Sequence, residues 1–310
     1  MSNYFDNKEL FTNPKVSQYN SHMVMTNVHK DTKHKFINID SKFCDDYANN
    51  RLDSSKPSFN IANYTYTLPE RITNVKSIRI RNIEVPITFY NISASKGNNY
   101  FKIYTSSNSY IITVPDGEYT ATTLETALTT LLSSYNLKYN YTDTYYSQFY
   151  LSSAGTTFYV DFAVDASGNS DKYKFKSKLG WLLGFRNTTY TVSTTSGIYS
   201  ETIVNLNSDK YLYLTIDEFS KGNQNSFISP LSTSLINKNI IAKITLNKQV
   251  YPFGTVLPAN EHIGFLMSDK RTYNGKIDIQ KINYKLINDL GEPINLNDVD
   301  FSFGMEIEYE

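Results

Sequence analysis

Bulky and polar residues alternate along most of the chain with a spacing of two, the period of a strand with one covered face. The alternation is densest from Ser58 to Ser93, SFNIANYTYTLPERITNVKSIRIRNIEVPITFYNIS, where two strand-length runs flank Pro69-Glu70-Arg71-Ile72-Thr73-Asn74. Phe59, Ile61, Tyr64 and Tyr66 carry the bulk of the first run, and a slip at Ala62-Asn63 predicts a bulge. In the second run Ile78 and Ile80 face one way, Arg79 and Arg81 the other. Ile83 and Val85 resume in the opposite phase, which predicts a second bulge or a strand end near Asn82. Pro69 and Pro86 bound the two runs, as proline does where a ladder stops. The pattern reads as a long antiparallel pair whose apolar face needs a second sheet over it.

Lys35–Asp40 is a further short strand, and Tyr100–Thr105 with Tyr110–Val114 makes a hairpin closed by Ser106-Ser107-Asn108-Ser109. The period then changes. Leu124, Ala127, Leu128, Leu131 and Leu132 recur at helical spacing, with Thr122 and Glu125 at the distance of a capping box. Strand patterns return over 139–164, broken at Ala154-Gly155. SKLGWLLGF then predicts a short helix: Ser177 as N-cap, Leu179, Leu182 and Leu183 as one face, and Gly184 as a left-handed stop before Phe185. From Ile203 the chain is β again, at Tyr211–Ile216, Ile240–Leu246, Gly275–Ile279, Ile282–Ile287 and Phe301–Tyr309, with long polar loops at 219–239 and 247–274. Gly291 and Pro293 shape a turn before the last run, in which Phe301, Phe303, Met305 and Ile307 point inward.

About eight antiparallel strands flanking an insertion predict an all-β fold, a single jelly-roll β-sandwich carrying a small α+β subdomain. The expected division is 35–115 and 201–310 for the sandwich and 116–200 for the insertion. Residues 1–34 have scattered anchors and no sustained period, and read either as an extended N-terminal arm that orders on a neighbour or as a frayed tail.

Composition narrows the function. The 26 Tyr and 18 Phe suit pleated sheets. Basic and acidic residues balance at 30 each, so no overall charge favours nucleic acid. Lys30, Lys33 and Lys35 make the end of the arm mildly basic, but Asp31 interrupts them. The single Cys44 excludes an internal disulfide. No run approaches the length of a transmembrane segment, and MSNYFDNKEL lacks a secretory core. The sequons at Asn63, Asn91, Asn140 and Asn187 are therefore expected to stay unmodified.

Candidate chemistry is sparse. Nucleophile elbow, P-loop, dinucleotide fingerprint and zincin helix are all missing from the sequence. His22, His29, His34 and His262 lack metal-ligand spacing, and Asp45 and Asp46 would raise the Cys44 thiol rather than activate it. Asp165, Ser167, Asn169 and Asp171 alternate oxygen groups like a calcium loop, without the distal bidentate glutamate, so a polar turn is the preferred reading. Trp181 sits among aliphatic residues and reads as packing. The expectation is no enzyme and no cofactor.

Several segments taken together resemble a known family. They are NIDSKF (Asn38–Phe43), the 58–93 stretch, GNNYF (Gly97–Phe101) and VPDGEYT (Val114–Thr120), the last containing Pro115, Asp116, Gly117 and Tyr119. LGWLLGF follows, with Leu179, Gly180, Trp181, Gly184 and Phe185, then SDKYLYLTIDEF (Ser208–Phe219). INDLGEPINLNDVDFSFGMEIE (Ile287–Glu308), with Gly291, Phe301 and Phe303, completes the series. Their order resembles the penton, or vertex capsid, proteins of nucleocytoplasmic large DNA viruses and virophages. The resemblance implies a single jelly-roll subunit, homopentamers at five-fold vertices, and contact with the major capsid protein and other minor capsid proteins. It also implies a place in the virion, assembled in the host cytoplasm, with the insertion displayed. Two other readings stand beside it: a carbohydrate-binding β-sandwich module that holds a host-surface glycan through insertion tyrosines such as Tyr159 or Tyr190, and a minor capsid or cement protein.

Overall fold

The densest alternation forms one strand rather than two. In the computed structural model, which describes residues 31–44, 60–207, 209–219 and 239–310, β2 runs unbroken over Asn63–Pro86. Its two halves do not pair with each other. Asn74 adopts a positive φ of 55° and the pairing shifts register there, so the strand bends out of one sheet into the other. The expected arm lies outside the described residues except for 31–34, of which Lys33 and His34 already belong to β1 (Lys33–Asp40).

The first sheet places β1 against β15 (Ser302–Tyr309), β15 against the second half of β2, and β12 (Val256–Asn260) on the far side of β2. The second places the first half of β2 against β14 (Arg271–Ile287), whose first residues also follow β2 past the bend to Ile78, then β10 (Tyr211–Asp217), β11 (Ile240–Thr245) and the short β13 (Leu266–Ser268). All of these pairs are antiparallel. With the halves of β2 counted separately and β13 set aside, the strands run 1-8-3-6 in one sheet and 2-7-4-5 in the other. That is the jelly-roll order.

Burial follows the alternation. Phe303, Met305 and Ile307 meet Ile78, Ile80 and Ile83 from β2 and Leu212, Leu214 and Ile216 from β10 in one core. Tyr284 lies between Phe301 and Phe303, its ring centroid 5.5 Å from each. Each such side chain contributes about 1.5–3 kcal/mol relative to exposure. The bulge expected near Asn82 is present: Gly304 pairs with Asn82 and Met305 with Ile80, leaving Arg81 as the extra residue.

Three further strand expectations need correction. Residues 247–274, read as loop, contain β12 and β13; strands this short, one holding Pro258, give too little alternation to see. Gly275–Ile279 and Ile282–Ile287 are parts of the single strand β14. The hairpin β3 (Tyr100–Tyr104) and β4 (Ser109–Thr113), assigned to the sandwich, pairs instead with β7 (Phe158–Asp161) in the insertion. By strand pairing the insertion therefore begins near Ile92 rather than at 116.

The insertion has its own core. One sheet runs β4-β3-β7-β8, with β8 at Thr189–Val192; the other runs β5-β6-β9, from Leu137–Tyr141, Tyr146–Leu151 and Ile198–Ile203. Phe101, Phe149, Phe162 and Phe185 are fully buried between them, with ring centroids 5.2–6.2 Å apart in the contacting pairs. The helix α1 (Ala121–Leu131) covers this core with Leu124 and Leu128. Its capping box is formed by Thr120 and Thr123, not Thr122 and Glu125, since hydroxyls serve both roles and Glu125 accepts the Tyr141 N–H at 3.0 Å. In α2 (Leu179–Leu182) the N-cap position is Lys178; Ser177 donates back to the Lys174 carbonyl. Gly184 is the left-handed stop, with φ 93°.

Candidate assembly surfaces

The motif residues around VPDGEYT converge at the root of the insertion. Ile92 and Gly117 exchange backbone hydrogen bonds of 3.3 and 2.9 Å. Asn91 takes the Tyr119 N–H at 2.8 Å and donates to its carbonyl at 2.7 Å. Asp116 accepts from the Ala94 N–H and the Asn99 amide, and Tyr119 donates its hydroxyl to Pro115 at 2.8 Å. Two ion pairs cross between the bodies here. Lys96 reaches Asp209 at the start of the second half of the sandwich, and Lys248, after β11, reaches Glu118. Both ammonium groups lie 5.7 Å from the centroid of the buried Phe89 ring. A third pair joins Lys174 to Glu292. Burial, and then the charge of Asp209, pushes the Asp289 carboxyl above its ordinary range.

The outer face of the first sheet carries a charge ladder. Glu306 accepts from His34 at 2.8 Å and from Arg81 Nε at 2.7 Å, and Arg79 and Arg81 both reach Glu261. Burial would raise Glu308, but hydrogen bonds from Lys270 and Ser77 overcome it and hold the carboxyl below the usual range. Hydrogen bonds from Lys276 and Lys76 hold Glu310 lower, at about 2. The ladder ties β1, β15 and β2 together through side chains as well as backbone.

Exposed apolar side chains gather along the two open edges of the sandwich. On the edge formed by β1 and the first half of β2, Phe36 is 69% and Phe43 75% exposed. Phe43 borders a cleft of about 370 Å³ walled by Ile37, Tyr64, Leu68 and Tyr284, while Phe36 stands on the other face of β1. Cys44 lies in that wall with its sulfur 3.4 Å from the Tyr284 hydroxyl. On the opposite edge, Val250, Phe253 and Val256 follow the approach to β12, and Ile263 and Met267 follow its exit into β13. All five are exposed, whereas the inward residues Leu257, Ala259 and Leu266 are buried. The sequence reading missed this row because its strands were invisible to it.

The remaining candidates separate. Asp165 accepts the N–H groups of Ser167 and Asn169 at 2.9 Å each, while Asp171 pairs with Lys178 at 2.8 Å, so the turn consumes both carboxylates. Among the described residues no group of three His, Cys, Asp or Glu is placed to hold a metal. Leu179, Gly180 and Phe185 are buried in the insertion core, and Trp181 lies under the Arg186 guanidinium, 4.0 Å from the ring centroid. Tyr190 gives its hydroxyl to Glu201 and accepts the Arg186 and Asn187 N–H groups, so its polar end is already engaged. Tyr159 instead stacks on Tyr104 at the surface, with centroids 4.9 Å apart. Among the described residues no helix is long and apolar enough to cross a membrane.

No protein-family model and no curated protein matches the sequence. Among solved structures, the mavirus penton protein is similar over 89% of this chain and 99% of its own, with 8% identity and a TM-score of 0.43. A chain in the cryo-EM structure of the Sputnik virophage is similar over 90% of this chain and 98% of its own, with 12% identity and a TM-score of 0.38. The jelly-roll assignment rests on the strand order of this chain itself.

Proposed function

We propose that the chain is a vertex subunit of an icosahedral viral capsid, five copies of which close a ring around each five-fold axis. The supporting observation is the pair of open sandwich edges, each bearing its own set of exposed apolar side chains. A closed ring needs two different, mutually complementary patches on one subunit, because its contacts run head to tail. Phe43 with its cleft, and Phe36 on the outer face of β1, form one such patch; Val256, Ile263 and Met267 lie along the other. The insertion is rooted between β2 and β10, and among the described residues it pairs with neither β1 nor β12. The outer rim of such a ring would abut the major capsid protein, and the protein would reside in the virion after assembly in the host cytoplasm.

Native mass spectrometry of the full chain tests the reading. A pentamer is expected, and loss of the ring on substituting either edge. A chain that stays monomeric at every concentration, with both edges exchanging hydrogen freely, overturns it. A second reading is favoured by the Tyr104–Tyr159 stack: the displayed insertion carries a saccharide-binding face.

A further inference from the structure

The outward face of the insertion's four-stranded sheet holds a shallow, largely open groove beside the β3–β4 turn, lined by Lys102, Tyr104, Thr105, Asn108, Ser109 and Asp161. Strand register assembles it. Tyr104 stands opposite Tyr159 on β7 and Ser109 on β4, and Lys102 stands opposite Asp161. Their alternates Phe101, Ile103, Phe158 and Val160 are buried on the other face, so these side chains point to solvent.

Two features set this face apart from an ordinary solvated sheet. The Tyr104 ring stacks on Tyr159 with an interplanar angle of 13°. And Lys102 and Asp161, opposite charges in direct register, do not close an ion pair. The Lys102 ammonium turns to the Gly168 carbonyl at 3.4 Å and lies 5.8 Å from the Tyr104 centroid. Asp161 accepts the Ala163 N–H through Oδ1 at 2.9 Å and lines the groove, with Oδ2 left to accept from another donor. Burial, followed by the charge of Asp161, pushes the Tyr104 phenol up, so its hydroxyl keeps its proton and can donate. Thr105 Oγ1 accepts the Ser107 and Asn108 N–H groups at 3.3 and 3.1 Å, which leaves its own proton to give.

The groove thus offers a stacked aromatic ring, a carboxylate acceptor, and hydroxyl and ammonium donors, with balanced charge. A hydroxyl-rich ring with apolar C–H faces uses all of these, the ring against tyrosine and the hydroxyls on the polar groups. We infer that this groove binds a neutral saccharide, with Tyr104 as the platform and Asp161 as the principal hydroxyl acceptor. An anionic sugar fits less well, because Asp161 repels it and Lys102 is turned toward Gly168. The inference deepens the saccharide reading above and does not require the ring.

Saturation-transfer NMR on the full chain, with maltotriose, chitotriose and lactose as neutral probes and 3′-sialyllactose as the charged one, tests it. At least one neutral probe should take up saturation, and Tyr104→Ala should weaken its binding about tenfold, about 1.4 kcal/mol. Asp161→Asn, which retains an acceptor for Ala163, should weaken it comparably without loss of fold. Tyr173→Ala, outside the groove, should bind as the parent does. Silence from all neutral probes, preference for the sialylated one, or full binding by folded Tyr104→Ala would overturn the assignment. Native mass measured on the same samples reads the ring separately, so either idea can fail alone.

Discussion

Lys248 and Glu118 meet at 2.8 Å across the junction between the sandwich and its insertion, and Lys96 with Asp209 runs the opposite way beside the same phenylalanine. Each body therefore lends the other a lysine. Lys248→Ala leaves Glu118, which also accepts the Asn91 N–H at 2.9 Å, without its cation. The expected cost is about 1–2 kcal/mol. It should appear as faster amide exchange at 91–92 and 117–119, with the β2–β15 ladder unchanged.

Gly180 faces Phe162 so closely that a Cβ there would come within 2.3 Å of the ring. Gly180→Ala must displace a ring at the centre of the insertion core, at a cost of about 1–3 kcal/mol. Urea unfolding followed through Trp181 fluorescence should report the loss, whereas Gly254→Ala, with open space around it, should suffer only from its φ of +87°.

Arg271 and Glu218 form a fully buried ion pair of 3.0 Å, and Arg271 also donates to the Ile216 and Asn239 carbonyls. Removing the cation leaves a buried carboxylate and two carbonyls short of a donor. Arg271→Ala should lose about 3–5 kcal/mol by chemical denaturation. Replacing both partners with apolar residues of similar volume should cost much less.

Glu310 is held at about 2 by Lys276 and Lys76, below its ordinary 4.5. A depressed carboxylate stabilises the fold above its ordinary pKa, and that contribution is lost as the pH falls through the folded value. Thermal melts should therefore fall between pH 4.5 and 2, and Glu310→Gln should remove part of that slope. Asp289 works in the other direction: its raised pKa favours the fold while protonated, and the contribution fades as the pH rises through the raised value.

Phe36→Glu and Met267→Glu alter opposite edges and touch no core, so each should change stability by no more than about 0.5 kcal/mol. Each should abolish rings. Mixed together, the two variants should yield heterodimers through their remaining intact edges but no closed ring, a pattern native mass spectrometry resolves directly.

What the sequence shows depends on whether the information is local. The inward alternation of Phe301, Phe303, Met305 and Ile307 identified the last strand, and the Leu124–Leu128 spacing identified α1, because each element buries its own stripe. The interruption at 69–74 was legible, but not that the chain bends there without turning back, since only the partner strands tell a bend from a hairpin. The same holds for the hairpin at 100–113, whose partner Phe158–Asp161 lies far along the chain. Tyr159 was legible as a surface aromatic. Its meeting with Tyr104, and that of Lys102 with Asp161, is a matter of register between distant strands, which no local pattern encodes.

The passage of β2 through both sheets has a mechanical consequence. Two sheets joined only by side chains can slide or splay under load, like plates held by an adhesive. Here one edge is a fold in a continuous ribbon, stiffened along its length by covalent bonds. Outward pressure on one sheet is carried into the other as tension along the backbone at Asn74, and the sandwich resists opening from that side even where its packing is locally loosened.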